Sequence, residues 1–293
     1  MPKANVNGVS IEYDTFGDKN NPAIVLIMGL GVQMIGWDSE FTKMLSDNGY
    51  YVIRFDNRDV GLSQWFDDDG MPDVMQGFTD FLEGKPVKAS YSLDDMADDT
   101  VGLLDHLGIE KAHICGVSMG GAITQVIGYK HPSRAISLIT IMTATSPAIF
   151  TKSKPEAMQA LLVPSPPKRE AYVDNSVNLY KMISGSKFPL GEERSRLLAG
   201  KYFDGSYHPE GTARQMMAIL SNGDVTPQLK SVATPTLVIH GSDDPLIPVE
   251  GGKDIAEVIP NAKLKIIDGW GHSLPVEVWP ILIEAITGHI KSI

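Results

Sequence analysis

Short apolar runs alternate along the chain with longer segments in which apolar residues recur every three or four positions. An unbroken apolar run is typical of a strand buried on both faces, and the longer period indicates an amphipathic helix. The runs that predict buried strands cover residues 23–28, 51–55, 113–115, 135–142, 236–240 and 264–267. Because such strands alternate with predicted helices, the pattern favours a mostly parallel sheet with helices on both faces.

Turn and capping residues mark where several elements begin and end. Asn7-Gly8 predicts a turn between two short strands near the start of the chain. Ser92, with acidic residues directly after the next position, predicts the start of a helix that Gly108 ends. The predicted helices cover residues 37–48, 93–107, 118–129, 251–258 and 276–290. Between residues 56 and 91 the sequence, rich in Gly and Asp, predicts a loop.

The alternation of strands and helices stops between residues 146 and 228. No apolar run there predicts a buried strand, and prolines interrupt the helical patterns. The segment therefore predicts a helical cap inserted over the carboxyl edge of the sheet, with residues 1–145 and 229–293 forming the α/β core. Most of its methionines and aromatic residues are expected to form the cap's own core, and the others suggest a pocket for small or medium apolar groups.

Composition and charge exclude several classes of function. The formal net charge of −11 disfavours nucleic acids and anionic membranes as partners, since both attract basic proteins. The single cysteine, Cys115, permits no disulfide within the chain and no thiolate-rich metal site, and its strand position predicts a buried core residue. No secretory signal pattern and no membrane-spanning apolar run is present, so a cytoplasmic location is expected. The sequence makes no prediction of the oligomeric state.

Residues 116–120, GVSMG, match the pattern Gly-x-Ser-x-Gly between a predicted strand and a predicted helix. In that context the pattern indicates a strained turn that lifts Ser118 out at the carboxyl end of the strand. Glycines flank the serine because larger side chains would collide with the neighbouring backbone. The amides at the start of the following helix then point at an approaching oxygen atom. The sequence therefore predicts that Ser118 is a nucleophile.

A serine nucleophile needs a base, and on this architecture the chain order is serine, acid, histidine. His272 lies in the segment GWGH directly after the last predicted strand, at the edge where a base can reach Ser118. Four other histidines follow Ser118. His131 lies at a helix end, His208 in the cap, His240 at the end of the strand before the acid, and His289 in the last helix. His272 is therefore the predicted base.

Two aspartates are candidates for the acid that orients His272. Asp243 and Asp244 both follow the preceding strand, and either could reach the imidazole. Pro245 holds the residue before it in an extended conformation, which favours Asp244 as the acid. Asp243 is then expected to form the turn.

Two backbone amides are expected to stabilise the negative charge on the reacting oxygen atom. One is the N–H of Met119, the residue after the predicted nucleophile. The other comes from the loop after the strand at residues 23–28, where Leu30 is the candidate.

Five segments along the chain together resemble the α/β-hydrolase superfamily. They are MGLG at 28–31, DNRDVGLS at 56–63, GVSMG at 116–120, residues 241–248 and GWGH at 269–272. Within that superfamily the chain is similar to small bacterial ester hydrolases of the aclacinomycin methylesterase type. The resemblance implies a mostly parallel eight-stranded sheet with an inserted helical cap. It also implies a triad of Ser118, Asp244 and His272, with Leu30 and Met119 as oxyanion donors.

The chain departs from the family's pattern at Met28, where many members carry a histidine. The support that such a histidine gives the oxyanion loop is therefore absent here. Arg58 lies in the second of the five segments. It is expected to tie a loop near the site rather than to act in catalysis.

The predicted reaction is two-step hydrolysis of a small-molecule carboxylic ester through an acyl-enzyme, with no metal or cofactor. Lactone hydrolysis, perhydrolysis of the cofactor-free haloperoxidase type and carbon–carbon bond hydrolysis use the same three residues, and a substrate panel would separate them. Epoxide and haloalkane hydrolysis are disfavoured because a serine, not an aspartate, lies in the turn. Outside the enzymes, a ligand receptor with slow turnover would fit the same residues, and a ligand-dependent partner would distinguish it.

Overall fold

The computed structural model describes residues 2–293 and contains one eight-stranded sheet. Its strands are β1 (Lys3–Val6), β2 (Val9–Phe16), β3 (Ala23–Ile27), β4 (Tyr51–Phe55), β5 (Ala112–Val117), β6 (Ala135–Ile141), β7 (Thr236–Gly241) and β8 (Lys263–Ile267). They lie in the order β1-β2-β4-β3-β5-β6-β7-β8. The pairs β1–β2 and β2–β4 are antiparallel and all the others are parallel. The predicted mostly parallel sheet is confirmed.

Helices cover both faces of the sheet. They are α1 (Ser39–Asp47), α2 (Val74–Leu82), α3 (Leu93–His106), α4 (Met119–Lys130), α5 (Pro155–Leu162), α6 (Arg169–Ile183), α7 (Glu192–Gly205), α8 (Pro209–Asn222), α9 (Thr226–Leu229), α10 (Glu250–Val258) and α11 (Trp279–Ile290). Ser92 caps α3 as predicted, since its Oγ accepts the N–H of Asp95 and the Asp95 carboxylate accepts the N–H of Ser92.

The prediction of a loop throughout residues 56–91 is wrong, because Val74–Leu82 forms helix α2. Its sequence carries Gly77 near the middle, which lowers helix propensity. The structure explains this glycine, because a Cβ there would lie 2.6 Å from the Sδ and Cε atoms of Met217 in α8. The glycine lets the end of the Met217 side chain lie against the backbone of α2. Such a tertiary contact is not visible in a local pattern.

Successive residues of the central strands point to opposite faces and build two separate cores. In β3, Val25 and Ile27 join the core beneath α3 and α4, whereas Ile24 and Leu26 join the core beneath α1 and α11. Cys115 of β5 is fully buried in the second core, where burial raises the pKa of its thiol. The continuous apolar runs of the sequence therefore correspond to strands that are covered on both sides.

The chain between β6 and β7 is helical and holds α5 to α9. Its side chains pack on one another and on the loop after β7, as in the cluster of Ile149, Ile183, Leu246 and Ile247. The exact division at residues 146 and 228 remains a prediction. Within residues 2–293, no helix combines the length and the apolar character that crossing a membrane requires.

Candidate active site

Ser118 lies in the tight turn between β5 and α4. Its backbone has φ 55° and ψ −119°, a strained conformation for a residue with a side chain. The flanking glycines are required by contact, because a Cβ at position 116 would lie 1.9 Å from the carbonyl oxygen of Gly120. A Cβ at position 120 would lie 2.2 Å from the carbonyl oxygen of Ile27 in β3. The turn therefore packs directly against the end of the neighbouring strand.

The structure brings Ser118, His272 and Asp244 together in one hydrogen-bonded chain. His272 Nε2 lies 3.0 Å from Ser118 Oγ, and His272 Nδ1 lies 2.7 Å from Asp244 Oδ2. A neutral imidazole with its proton on Nδ1 donates to the carboxylate and accepts from the serine hydroxyl. This arrangement has the geometry of a nucleophile, a base and an acid that orients the base.

Asp244 is completely buried and is held from both of its oxygen atoms. Oδ1 accepts the N–H groups of Leu246 (2.9 Å) and Ile247 (2.8 Å), while Oδ2 faces His272. Burial by itself raises the pKa of Asp244, but the adjacent His272 and His240 outweigh it and keep the pKa below its usual range. The carboxylate is therefore ionised, and its charge lies against the imidazole.

Asp243, the other candidate acid, makes no contact of this kind. Its Oδ2 accepts the backbone N–H of Ser186 at 3.2 Å and also the Ser186 hydroxyl, and its Oδ1 accepts from Ser242. Ser186 belongs to the inserted segment, so Asp243 joins the loop after β7 to that segment. Asp244 therefore contacts His272, whereas the neighbouring Asp243 contacts the inserted segment.

His240 lies close to Asp244, a contact that the sequence analysis did not predict. Its side chain is fully buried, and Nε2 lies 2.8 Å from the carbonyl oxygen of Ile247 and 3.6 Å from Asp244 Oδ2. The hydrogen bond to Ile247 fixes the end of the loop whose amides hold Asp244. The signal was present, since His240 lies next to the last residue of β7 and only four residues before Asp244.

The loop at residues 28–31 lies against the serine. A Cβ at position 29 would lie 3.2 Å from the Cβ of Ser118, so the backbone here approaches the turn closely. Among residues 2–293, no acceptor takes a hydrogen bond from the N–H of Leu30. Met119 is the first residue of α4, where backbone N–H groups have no partner inside the helix. Both amides are thus free to donate to a ligand.

Two amide side chains support this loop from outside it. Asn57 donates to the carbonyl oxygen of Met28 at 3.1 Å, and Gln215 of α8 accepts the N–H of Gly31 at 2.8 Å. Gln215 also donates to the carbonyl oxygen of Arg58 at 2.7 Å. These contacts were not predicted, because Gln215 lies 184 residues from Gly31 in the sequence.

Arg58 has the structural role that the sequence suggested. Its guanidinium makes two hydrogen bonds of 2.7 Å to the Asp99 carboxylate in α3, and both side chains are buried. The guanidinium also lies over the rings of Phe66 and Tyr91. The ion pair anchors the loop at residues 56–63 to the core.

The end of α6 and the residues after it hold the loop that carries His272. We call residues 183–187 the strap. The carbonyl oxygen of Ile183 accepts the N–H of His272 at 2.7 Å, and the N–H of Lys187 donates to Gly269 at 2.9 Å. Between these bonds Gly185 is so close that a Cβ on it would lie 2.3 Å from the carbonyl oxygen of Gly269. The inserted segment therefore positions the histidine as well as covering it.

An apolar chamber of about 160 Å³ opens beside Ser118 and His272. The inserted segment contributes much of its wall, together with the loops after β3, β7 and β8. Its apolar lining includes Val32, Val117, Leu179, Leu198, Ile219 and Leu274. Within residues 2–293, no group of three or more His, Cys, Asp or Glu side chains is arranged to hold a metal ion.

The fold and this arrangement of residues indicate the family to which the chain belongs. The family model for the alpha/beta hydrolase fold matches residues 22–277, and the chain belongs to that family. Enol-lactonase from Burkholderia xenovorans has a similar structure, with a TM-score of 0.76 and 23% sequence identity over 99% of this chain and 100% of that one. The α/β-hydrolase fold, with its eight-stranded sheet and flanking helices, is therefore established.

Curated relatives align over almost the whole chain. Rhodomycin D methylesterase from Streptomyces sp. strain C5 is 24% identical over 97% of this chain and 96% of its own length. 3-Oxoadipate enol-lactonase 1 from Acinetobacter baylyi is 27% identical over 99% of this chain and 96% of its own length. These relatives support hydrolase activity and the predicted resemblance to bacterial ester hydrolases.

Proposed function

We propose that the protein is a serine hydrolase that cleaves carboxylic esters of small to medium apolar molecules. The observation that carries this proposal is the unbroken chain from Ser118 Oγ through the His272 ring to the buried, ionised Asp244. A serine hydroxyl is a poor nucleophile alone, and this arrangement supplies the base that it needs.

The proposed reaction has two acyl-transfer steps. Ser118 Oγ attacks the ester carbonyl carbon while His272 Nε2 takes the hydroxyl proton, and the Asp244 carboxylate stabilises the resulting imidazolium. His272 then gives this proton to the departing alcohol. Water, deprotonated by the same nitrogen, attacks the acyl-enzyme, and the acid leaves as Ser118 recovers its proton. The residues of the chain supply every proton transfer.

The proposed oxyanion donors are the N–H groups of Leu30 and Met119. Both amides lie next to Ser118 and lack other acceptors, as a site for a developing negative charge requires. Asn57 and Gln215 hold the loop of Leu30 in place of the histidine that many family members carry at position 28. Loss of one such donor typically lowers the rate about 100- to 1,000-fold.

Lactone hydrolysis is the second candidate, and the similarity to a 3-oxoadipate enol-lactonase favours it over perhydrolysis and carbon–carbon bond hydrolysis. A lactone is an internal ester, so the same steps apply, except that the alcohol formed stays attached to the acyl group. A substrate panel that contains both open esters and five-membered lactones compares the two directly. A kcat/KM at least tenfold higher for the lactones would make lactonase the better assignment.

The test of the proposed function compares wild type with three single variants on p-nitrophenyl acetate, butyrate and octanoate. Ser118→Ala is expected to lower kcat about a million-fold and Asp244→Asn about 10,000-fold, while the fold is retained. Asp47→Asn is the control, because the same change on the exposed side of α1 touches neither His272 nor residues 183–187. A folded Ser118→Ala protein with wild-type activity would refute the proposal.

A further inference from the structure

A surface groove adjoins the chamber. Leu30 and Leu161 line both spaces, and each of these side chains is only partly buried. Beyond them the groove has a volume of about 470 Å³. We call it the outer groove, and its main apolar residues are Leu30, Met71, Met75, Leu161, Val163 and Met216. Helices α5 and α8 contribute residues to both linings.

The outer groove presents large apolar side chains to solvent. Met71, Met75 and Val163 are 64%, 63% and 43% exposed, which is unusual for three such residues on one rim. Of the described residues that line the groove, Asp73 alone is charged. Its carboxylate already accepts the N–H of Gln76 as the cap of α2. The groove therefore suits an apolar ligand and offers little to a charged one.

The size of the chamber limits what it can hold. An apolar cavity of about 150 Å³ accommodates a benzene molecule, so the chamber of about 160 Å³ takes one group of roughly that size beside the reacting ester. A further space next to Ser118 and Met119 has only about 50 Å³. A larger substrate therefore has to extend beyond the chamber, and the outer groove is the apolar space that adjoins it.

We propose that the outer groove is a second substrate subsite, which binds the apolar part of an ester that extends past Leu30 and Leu161. This inference rests on the proposed function and names its substrate class. The substrates are esters with one apolar chain or ring system longer than the chamber. Contact with that chain accounts for the exposed methionines on the rim.

The test changes the rim without touching the chamber. Met75→Glu places a carboxylate in the groove at the second position of α2, where a negative charge is compatible with the helix N-terminus. Leu82→Glu is the matched control, since Leu82 is 63% exposed on the same helix but lies outside the groove. Three substrates are compared. p-Nitrophenyl acetate is small enough to need only the chamber. p-Nitrophenyl decanoate carries a long chain on the acyl side of the ester, and decyl acetate carries one on the alcohol side.

Met75→Glu is expected to raise KM about tenfold for whichever long ester wild type binds with the lower KM, as loss of contact with about two methylene groups would. Its kinetics with p-nitrophenyl acetate are expected to match wild type. Leu82→Glu is expected to change neither the KM for the long esters nor the kinetics with p-nitrophenyl acetate. If Met75→Glu and wild type have the same KM for each of the two long esters, the subsite is overturned. The same holds if Met75→Glu instead alters the oligomeric state, which would assign the rim to a contact between copies.

A binding measurement separates failure of the subsite from failure of the proposed function. Calorimetric titration of Ser118→Ala protein with methyl decanoate and with decyl acetate needs no turnover. If the double variant Ser118→Ala/Met75→Glu binds either ester about tenfold more weakly, the subsite is supported even if wild type hydrolyses none of the three esters, in which case the ester-hydrolase proposal alone fails. Unchanged binding of both esters overturns the subsite.

Discussion

Replacing Gly185 with alanine tests whether the strap positions the histidine. The new Cβ would lie 2.3 Å from the carbonyl oxygen of Gly269, 2.5 Å from the N atom of Gly271 and 2.6 Å from the carbonyl carbon of Trp270. All three are backbone atoms, so no side chain can rotate away. Gly185 does not have a positive φ, and the effect of the substitution is therefore contact alone.

The size of the effect follows from these distances. Ordinary van der Waals contact for a Cβ begins at 3.4 Å, so the loop and the strap have to separate by about 1 Å. The hydrogen bond from the His272 N–H to Ile183 spans the same gap and would lengthen with it. Because a misplacement of about 1 Å can lower a rate about 100-fold, Gly185→Ala is expected to lower kcat for p-nitrophenyl acetate by about that factor.

The assay measures kcat and KM together with the melting temperature. Gly288→Ala is the control, because a Cβ at position 288 in α11 meets no atom within 4 Å. It is expected to keep full activity and to gain up to ~1 kcal/mol of stability from helix propensity. A Gly185→Ala protein that is folded and has wild-type kcat would show that the strap does not set the position of His272.

Two further outcomes are expected. His240→Leu removes the hydrogen bond to the carbonyl oxygen of Ile247 and is expected to cost ~1–3 kcal/mol in urea unfolding and to lower kcat. His240→Gln, which keeps a donor, is expected to recover part of both, and identical losses in the two variants would contradict the role assigned to this bond. Burial raises the pKa of Asp56 to about 6, so the folded state binds this proton more tightly than the unfolded chain does. Relative to Asp56→Asn, the free energy of unfolding of wild type is therefore expected to fall by ~2 kcal/mol from pH 4 to pH 7, and a constant difference would contradict it.

Local sequence patterns predicted the parts of the fold that local physics determines. The central strands are apolar along their whole length because helices cover both faces, and that pattern needs no knowledge of distant residues. The turn at Ser118 was visible because its glycines are forced by backbone contacts within a few residues and with the next strand. His272 and Asp244 could be selected because parallel strands place the loops at their carboxyl ends along one edge.

Contacts between distant segments could not be predicted in the same way. Gln215 supports the loop of Gly31, and its helical surroundings give no sign of a partner near the start of the chain. Helix α2 was missed because the glycine that lets it pack on Met217 also weakens its helical pattern. The same holds for Gly185, whose close approach to the histidine loop depends on how the inserted segment lies over the sheet.

The hydrogen bond from His272 to Ile183 has a consequence for exchanging parts between relatives. Grafting the inserted segment of one hydrolase onto the core of another is a natural route to a new substrate range, since that segment forms much of the chamber wall. In this protein such a graft would also replace residues 183–187, and with them the backbone contacts that hold the loop of His272. A chimera is expected to keep its turnover only if the recipient's own residues 183–187 are left in place.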